Sequence, residues 1–383
     1  MQTTFRGGMW IAVILHLAST ATACAGGSYV HRRATHGSAS LAKRADEGFT
    51  GCLIPEPVTC EALGTCAYAN NSAGPWTPEA NIRQMQLADD AANANDLSHF
   101  NHHDDTIVFM PGNRELNMAQ HVQDLLGLWA TYPNLRASNH PYRVSFGEGN
   151  WTFALSDASG TNTGPIQSPS GWRGPTGRNV NYEFLTAAYW QDGRIMREHI
   201  WMDTVTTQRQ LGFFLSPIST DRVHTFELSP HSLPLSTDPE RDATEENKRS
   251  HRQLETAFNQ GRFDPQSLNF SSNATIYASR DDAPDGIGST QLVSLIDEFT
   301  ESFSDANHTS TVIIGSGDWT ASVGRLSGRH TGTLNIPEYI SPPIPPTNRT
   351  FEVWMYTIAH WQDGELTHLK LMIDELAILS QLE

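Results

Sequence analysis

Long hydrophobic runs are missing from this sequence. No stretch reaches the roughly 20 apolar residues that a spanning helix needs, so stable insertion in a membrane is not expected. Positive charge is scarce, with 25 Lys plus Arg against 42 Asp plus Glu and a net charge of -17. So acidic a surface repels phosphate backbones, which excludes nucleic acid as a partner and disfavours anionic membrane surfaces. There is no Gly-rich phosphate loop, no Gly-x-Ser-x-Gly elbow and no other nucleophile motif, so no redox cofactor or other cofactor is expected. Cysteine is nearly absent, at four residues. What remains is 38% hydrophobic and only 17% charged over 383 residues. That is enough apolar material for packed cores and, at about 150 residues per domain, for two domains.

The N-terminus reads as a secretory leader. Arg6 supplies a positive start, Trp10 to Ala18 a short apolar core broken by His16, and Ala21-Thr22-Ala23 a small-residue cleavage pattern. Residues 1–25 are therefore expected to be a signal peptide. The dibasic Lys43-Arg44 ends a Gly/Ser/Ala-rich stretch and reads as the cut that removes a pro-segment, 26–44. Residues 1–44 carry five basic residues and no acid, so their removal takes the net charge from -17 to -22. Six Asn-x-Ser/Thr sequons, at Asn70, Asn150, Asn269, Asn273, Asn307 and Asn348, fit secretion and glycosylation. Cys24 leaves with the leader or pro-segment. Cys52, Cys60 and Cys66 lie in a Pro-containing segment, 45–80, where one local disulfide is expected with its pairing open. No histidine lies in that cluster, so zinc is not expected there.

The chain also repeats itself. Gly147-Glu148-Gly149-Asn150-Trp151-Thr152 matches Gly315-Ser316-Gly317-Asp318-Trp319-Thr320, and Asn162-Thr163-Gly164 matches His330-Thr331-Gly332. Pro175-Thr176-Gly177-Arg178 then matches Pro346-Thr347-Asn348-Arg349, and Trp190-Gln191-Asp192-Gly193 matches Trp361-Gln362-Asp363-Gly364. The offset steps from 168 to 171, which one loop insertion explains; Asp203 then pairs with Asp374 and Gln210-Leu211 with Gln381-Leu382. Ordered matches of this kind mean two copies of one domain, placed at 81–215 and 251–383 with a Pro-rich, then charged, linker at 216–250.

In each copy helical spacing comes first: Met118, Val122, Leu125, Leu126 and Trp129, then Leu292, Leu295, Ile296 and Phe299. Strands follow, and the Asp-Gly pairs read as tight hairpin turns. Helices before antiparallel strands make an α+β fold.

These pieces resemble the SnoaL-like polyketide cyclase family: Thr163-Gly164, the Pro175–Arg178 loop, a long strand, Asp192-Gly193, a strand ending at Asp203, and Gln210-Leu211-Gly212. The likeness covers about residues 95–215 and, more loosely, 250–383. It implies two tandem NTF2-like cones, each a curved antiparallel sheet wrapped on helices around an apolar pocket. It also implies cyclase chemistry by a pocket Asp without metal or cofactor. The family's His-Trp before that Asp is replaced by Glu198-His199-Ile200-Trp201, and by Leu369-Lys370 in the second copy. In length, leader and duplication the chain is similar to the fungal proteins that catalyse hetero-Diels–Alder couplings in tropolone sesquiterpenoid biosynthesis. That likeness implies coupling of a polyketide-derived quinone methide to an apolar terpene, with dehydration left open. The alternatives are an aldol cyclase, dehydratase or isomerase, a secreted carrier of small apolar ligands, and a secreted interaction protein.

Alternation along a strand puts His199, Trp201 and Asp203 on one face, expected to look into the cone. Asp203 is the expected acid/base; His199, about 13 Å away along the strand at ~3.3 Å per residue, is expected to address another part of the same ligand, with Trp201 as an aromatic wall. The same reasoning offers Glu183 and Tyr189 in the long strand, Trp354, Tyr356 and His360 in its repeat, and Lys370, Asp374 and His330 as further substrate contacts. The partners expected are small apolar or aromatic molecules; oligomerisation is left open. His102-His103-Asp104-Asp105 looks like a metal cluster, but neighbours in sequence point apart. A solvated loop and no metal are expected there.

Overall fold

Asp192-Gly193 and Asp363-Gly364 set the frame of each copy. Their φ angles are 51° and 73°, and 53° and 85°, the paired left-handed conformations of a tight hairpin turn. Each turn folds a 13-residue strand back on a nine-residue one. The computed structural model describes residues 75–97, 99–138, 142–168, 171–214, 242–278, 286–336 and 340–383. The leader, the pro-segment, the cysteines, Asn70 and most of the linker lie outside the described residues.

The first copy runs α1 (Pro78–Asn93), β1 (His102–Met110), β2 (Arg114–Asn117), α2 (Met118–Thr131), β3 (Arg136–Ala137), β4 (Val144–Glu148) and β5 (Trp151–Thr161). A small hairpin of β6 (Ile166–Ser168) and β7 (Gly171–Arg173) precedes β8 (Asn179–Gln191), β9 (Arg194–Met202) and α3 (Thr204–Gln210). The second runs α4 (Thr244–Asn259), β10 (Phe270–Tyr277), α5 (Ser289–Ser302), β11 (Phe303–Ser316), β12 (Trp319–His330), β13 (Thr350–Gln362), β14 (Glu365–Ile373) and α6 (Glu375–Leu382). The sheets are ordered β2-β1-β9-β8-β5-β3, with β4 also on β5, and β10-β14-β13-β12-β11. This is the expected α+β pair of cones, with two differences. β1 and β10 join β9 and β14 in parallel, because each enters the sheet before the long crossover through the helix and the other strands. The charged run ending at Arg249, read as linker, forms the first turns of α4; the acidic Glu245 and Glu246 suit the positive end of a helix.

Local chemistry explains the helix starts. Thr77 caps α1 and Pro78 sits at its first turn, while Asn117 and Gln120 form a reciprocal capping box on α2. The repeated Thr-Gly also has a steric reason. Gly164 N–H donates to Thr131 O and Gly332 N–H to Ser302 O. A Cβ at Gly164 would stand 1.8 Å from Ala130 O, and one at Gly332 2.0 Å from Glu301 O.

Each sheet is buried on both faces. One face covers its own helices: Met85 of α1 packs with Ala154, Ala188, Trp190 and Ile195, and Leu254 of α4 with Ala359, Trp361, Leu366 and Leu369. The other face meets the second sheet. Phe153, Leu155, Leu185, Ala187 and Trp201 share one core cluster with Trp319, Ala321, Val323, Tyr356, Ile358 and Met372. The two copies are thus joined back to back through their sheets.

Candidate functional site

The back-to-back packing decides where the expected site residues lie. His199 and Trp201 do share a face, as alternation requires, but that face looks onto the second sheet and not into the cone. His199 stacks on Phe109 at 4.4 Å, meets Trp354 edge-on at 4.5 Å and lies 6.1 Å from Tyr356. Burial holds its imidazole down at about 3, with Arg325 adding to the shift. Trp201 donates its Nε1–H to Ile373 O at 3.2 Å. Glu183 and Lys370 form an ion pair of 2.5 Å, both about 1% exposed. Trp354 lies under the Arg325 guanidinium at 3.5 Å. The structure therefore gathers Glu183, His199, Trp201, Trp354, Tyr356 and Lys370 from two copies into one interface.

Others stand apart. Tyr189 packs on Trp151 at 5.5 Å at the rim. His360 packs on Trp319 at 4.8 Å and bonds Thr367 Oγ1 at 2.6 Å. His330 is fully buried, and its Nδ1 takes up Thr347 of the Pro-Thr loop. Its counterpart Asn162 does the same, accepting from Thr176 N–H at 2.7 Å and from the Thr176 hydroxyl at 2.9 Å. Asp203 and Asp374 cap helices. Asp203 accepts from Thr206 N–H at 2.9 Å and the Thr206 hydroxyl at 2.8 Å. Asp374 accepts from Ala377 N–H at 3.0 Å and, across the two copies, from Gly112 N–H at 2.5 Å. The closing glutamines tie these helices to the long strands: Gln210 exchanges two bonds with Asn181, and Gln381 two with Glu352. Residues repeated in both copies thus do the same structural work twice. Chemistry peculiar to one copy is to be sought where the copies differ.

Two such differences lie inside the cones. The second cone holds a cavity of about 200 Å³ between α4, α5 and the sheet. Its wall is almost wholly apolar, including Leu254, Phe258, Leu292, Phe299, Leu326 and Met355, with His251, Glu255, His308, Thr357 and Glu375 as its polar groups. His251 reaches from α4 to the Thr320 hydroxyl (2.8 Å) through Nδ1 and to the Thr357 hydroxyl (2.7 Å) through Nε2. Burial holds it at about 3, so it is neutral. His308 Nδ1 lies 3.8 Å from Glu255 Oε2. Burial lowers His308 and the Glu255 charge opposes that shift. Glu255 is steadied by Ser310 N–H at 3.0 Å, and Asn259 of α4 grips the His308 backbone at both its N–H and its carbonyl. His308 Nε2 is buried with no hydrogen-bond partner among the described residues.

The first cone holds a charged cluster instead. His102 at the start of β1, His121 in the first turn of α2 and Glu198 in β9 are all buried. His102 Nε2 is 2.9 Å and His121 Nε2 3.7 Å from Glu198 Oε2. Glu198 stays below its usual range although burial pushes it up, because His102, His121 and His199 stand near it. Local spacing does not show this cluster: His102 and His103 point apart, as alternation requires, but the segment is strand and not the expected loop, and the partners come from remote positions. The repeat carries the signal. Equivalent positions in the second copy are Phe270, Leu292 and Leu369, since His102 pairs with Ile195 as Phe270 does with Leu366, and Glu198 with Ala188 as Leu369 does with Ala359.

No described helix is long and apolar enough to cross a membrane. A comparison with curated proteins finds no match. Among solved structures the chain is similar to AclR from Streptomyces galilaeus, at 17% identity over 36% of this chain and 87% of that one, TM-score 0.32. It is similar to IdmH from Streptomyces antibioticus, at 21% identity over 34% of this chain and 98% of that one, TM-score 0.31. A SnoaL-like polyketide cyclase from Agrobacterium tumefaciens strain C58 matches at 12% identity over 35% of this chain and 95% of that one, TM-score 0.28. The family model for SnoaL-like polyketide cyclases matches residues 82–211 and again 248–382, more than half of the chain. The chain belongs to the SnoaL-like polyketide cyclase family and carries two copies of its domain in tandem.

Proposed function

We propose that the second domain is the catalytic one and that it closes or isomerises a ring on a small apolar, polyketide-derived carbonyl compound. The cavity carries this reading. Its apolar wall suits an aromatic or aliphatic body and rejects a charged one. Ring closure beside a carbonyl needs a group that takes a proton from carbon and returns it. A neutral imidazole steadied by a carboxylate can do so, and His308 with Glu255 is such a pair on this wall.

The size of the cavity bears on the finer reading. An engineered cavity of about 150 Å³ takes up benzene, so about 200 Å³ suits one ring or a small fused pair. A hetero-Diels–Alder coupling of a quinone methide to a terpene, which the likeness to the fungal tandem proteins suggests, would place only one reactant inside. A carrier of small apolar ligands would use the same cavity without turnover.

The test uses the purified full chain and 1-tetralone, following exchange of its α-protons into D₂O by NMR. The wild-type chain is expected to accelerate exchange, and His308→Ala to lose about 10²- to 10⁴-fold, the usual size of general acid–base catalysis. Binding without acceleration would favour the carrier. Asp203→Asn and His199→Ala test the placement expected from the sequence. If these, and not His308→Ala, abolish exchange in folded protein, the chemistry lies between the sheets and the proposal fails.

A further inference from the structure

The charged cluster of the first cone is not needed by the fold, because the second cone builds the same three positions from Phe270, Leu292 and Leu369 in one apolar core. Burying a carboxylate is costly unless strong partners surround it. Glu198 is buried at such a position, and β1 and α2 each bring an imidazole to it.

We propose that the first domain binds a divalent transition-metal ion of the zinc class through His102, His121 and Glu198. The ligating atoms lie within 4.8 Å of one another. Both imidazoles turn Nε2 toward the same carboxylate oxygen. In a tetrahedral site with bonds of about 2.1 Å, neighbouring ligand atoms stand about 3.4 Å apart. The observed 2.9 Å and 3.7 Å to Glu198 bracket that spacing, and the ligating nitrogens of the two imidazoles lie within 4.8 Å of each other, so side-chain shifts on the order of an ångström would admit the ion. Phe100 stacks on His102 at 4.2 Å and on His121 at 5.6 Å, which fixes the ring planes. Three protein ligands leave a position for water or a substrate oxygen, the pattern of catalytic rather than structural zinc. The Nδ1 atoms of both histidines meet no acceptor among the described residues. Such outer partners are worth about 10- to 100-fold in affinity, so this site is expected to be weaker than one that has them.

The inference does not rest on the reading of the second domain, since its readout is metal content. The full-length chain is stripped with chelator, incubated with Zn²⁺, gel-filtered and assayed for metal; Co²⁺ then reports coordination by its visible ligand-field bands. One ion per chain is expected, with a rise in Tm on adding Zn²⁺. The decisive variant is the triple replacement H102F/H121L/E198L, which installs the second copy's own residues. It should bind no metal, show no Co²⁺ bands and melt at a temperature independent of zinc. Glu198→Gln preserves volume and hydrogen bonding and should weaken binding at least 10-fold even if the triple variant folds poorly. Wild-type protein that retains no metal overturns the proposal. So does equal retention by Glu198→Gln or by the folded triple variant, which would place the ion elsewhere.

Discussion

Lowering the pH should unfold this protein through its buried histidines, and His251 allows the cost to be worked out. Both its ring nitrogens are engaged by threonine hydroxyls, which can accept or donate, so geometry does not forbid a second proton. Desolvation does: burial holds the native imidazole at about 3, against an ordinary 6.5. In the unfolded chain the ring charges as pH falls below 6.5, while in the native state it stays neutral. The unfolded state therefore binds the extra proton, and stability present above pH 6.5 is lost as pH falls toward 3. At pH 5 the gap is one and a half pH units, or about 2 kcal/mol at roughly 1.4 kcal/mol per unit. His360, held at about 4 by burial and by His368, loses another ~2 kcal/mol by the same reasoning. Against a total stability of roughly 5–15 kcal/mol this is a large fraction. With a urea dependence of about 1–3 kcal/mol per molar, these two groups alone should move the midpoint down by roughly 1–4 M between pH 8 and pH 5. Tryptophan fluorescence follows the transition. His251→Gln keeps a donor and an acceptor for the two hydroxyls and removes the titration, so its loss over the same interval should be smaller by ~2 kcal/mol. Equal losses in wild type and variant would show that native His251 takes up its proton freely, and the reasoning would fail.

Two further outcomes are expected. Lys370→Met leaves Glu183 charged and buried between the sheets and should cost about 3–5 kcal/mol, while adding Glu183→Leu should recover most of it; urea midpoints that are equal for the single and double variants would remove the pair from the account of the interface. Secretion is expected to yield a chain starting at Ala45, with sugar drawn from Asn150, Asn269, Asn273, Asn307 and Asn348, all of which are exposed, and from Asn70; mass spectrometry of secreted protein that shows an intact N-terminus and no glycan would refute this.

Much of the fold was legible because it is written in local chemistry and written twice. Asp-Gly dictates the hairpins, Thr-Gly the close pass behind each helix, and Asp203 and Asp374 the starts of the last helices. All of these act over a few residues or one contact, so their spacing in the sequence is their spacing in the structure. A residue such as His330, which does for one loop what Asn162 does for the other, is held by the fold.

Alternation also fixed which side chains share a face, but not which face is inside. In β13, Val353, Thr357, Ala359 and Trp361 lie toward the helices, and Tyr356, Ile358 and His360 toward the other sheet. Both sets are buried because a sheet covered on two sides reads apolar on both. Only the docking of one copy on the other decides that His199 and Trp201 face a sheet, and only the packing of α4 and α5 on the second sheet that His308 lines a cavity. His102, His121 and Glu198 span 96 residues, and no periodicity links them. They meet because a parallel strand, a crossover helix and a hairpin strand close one cone, which is a decision of the tertiary structure.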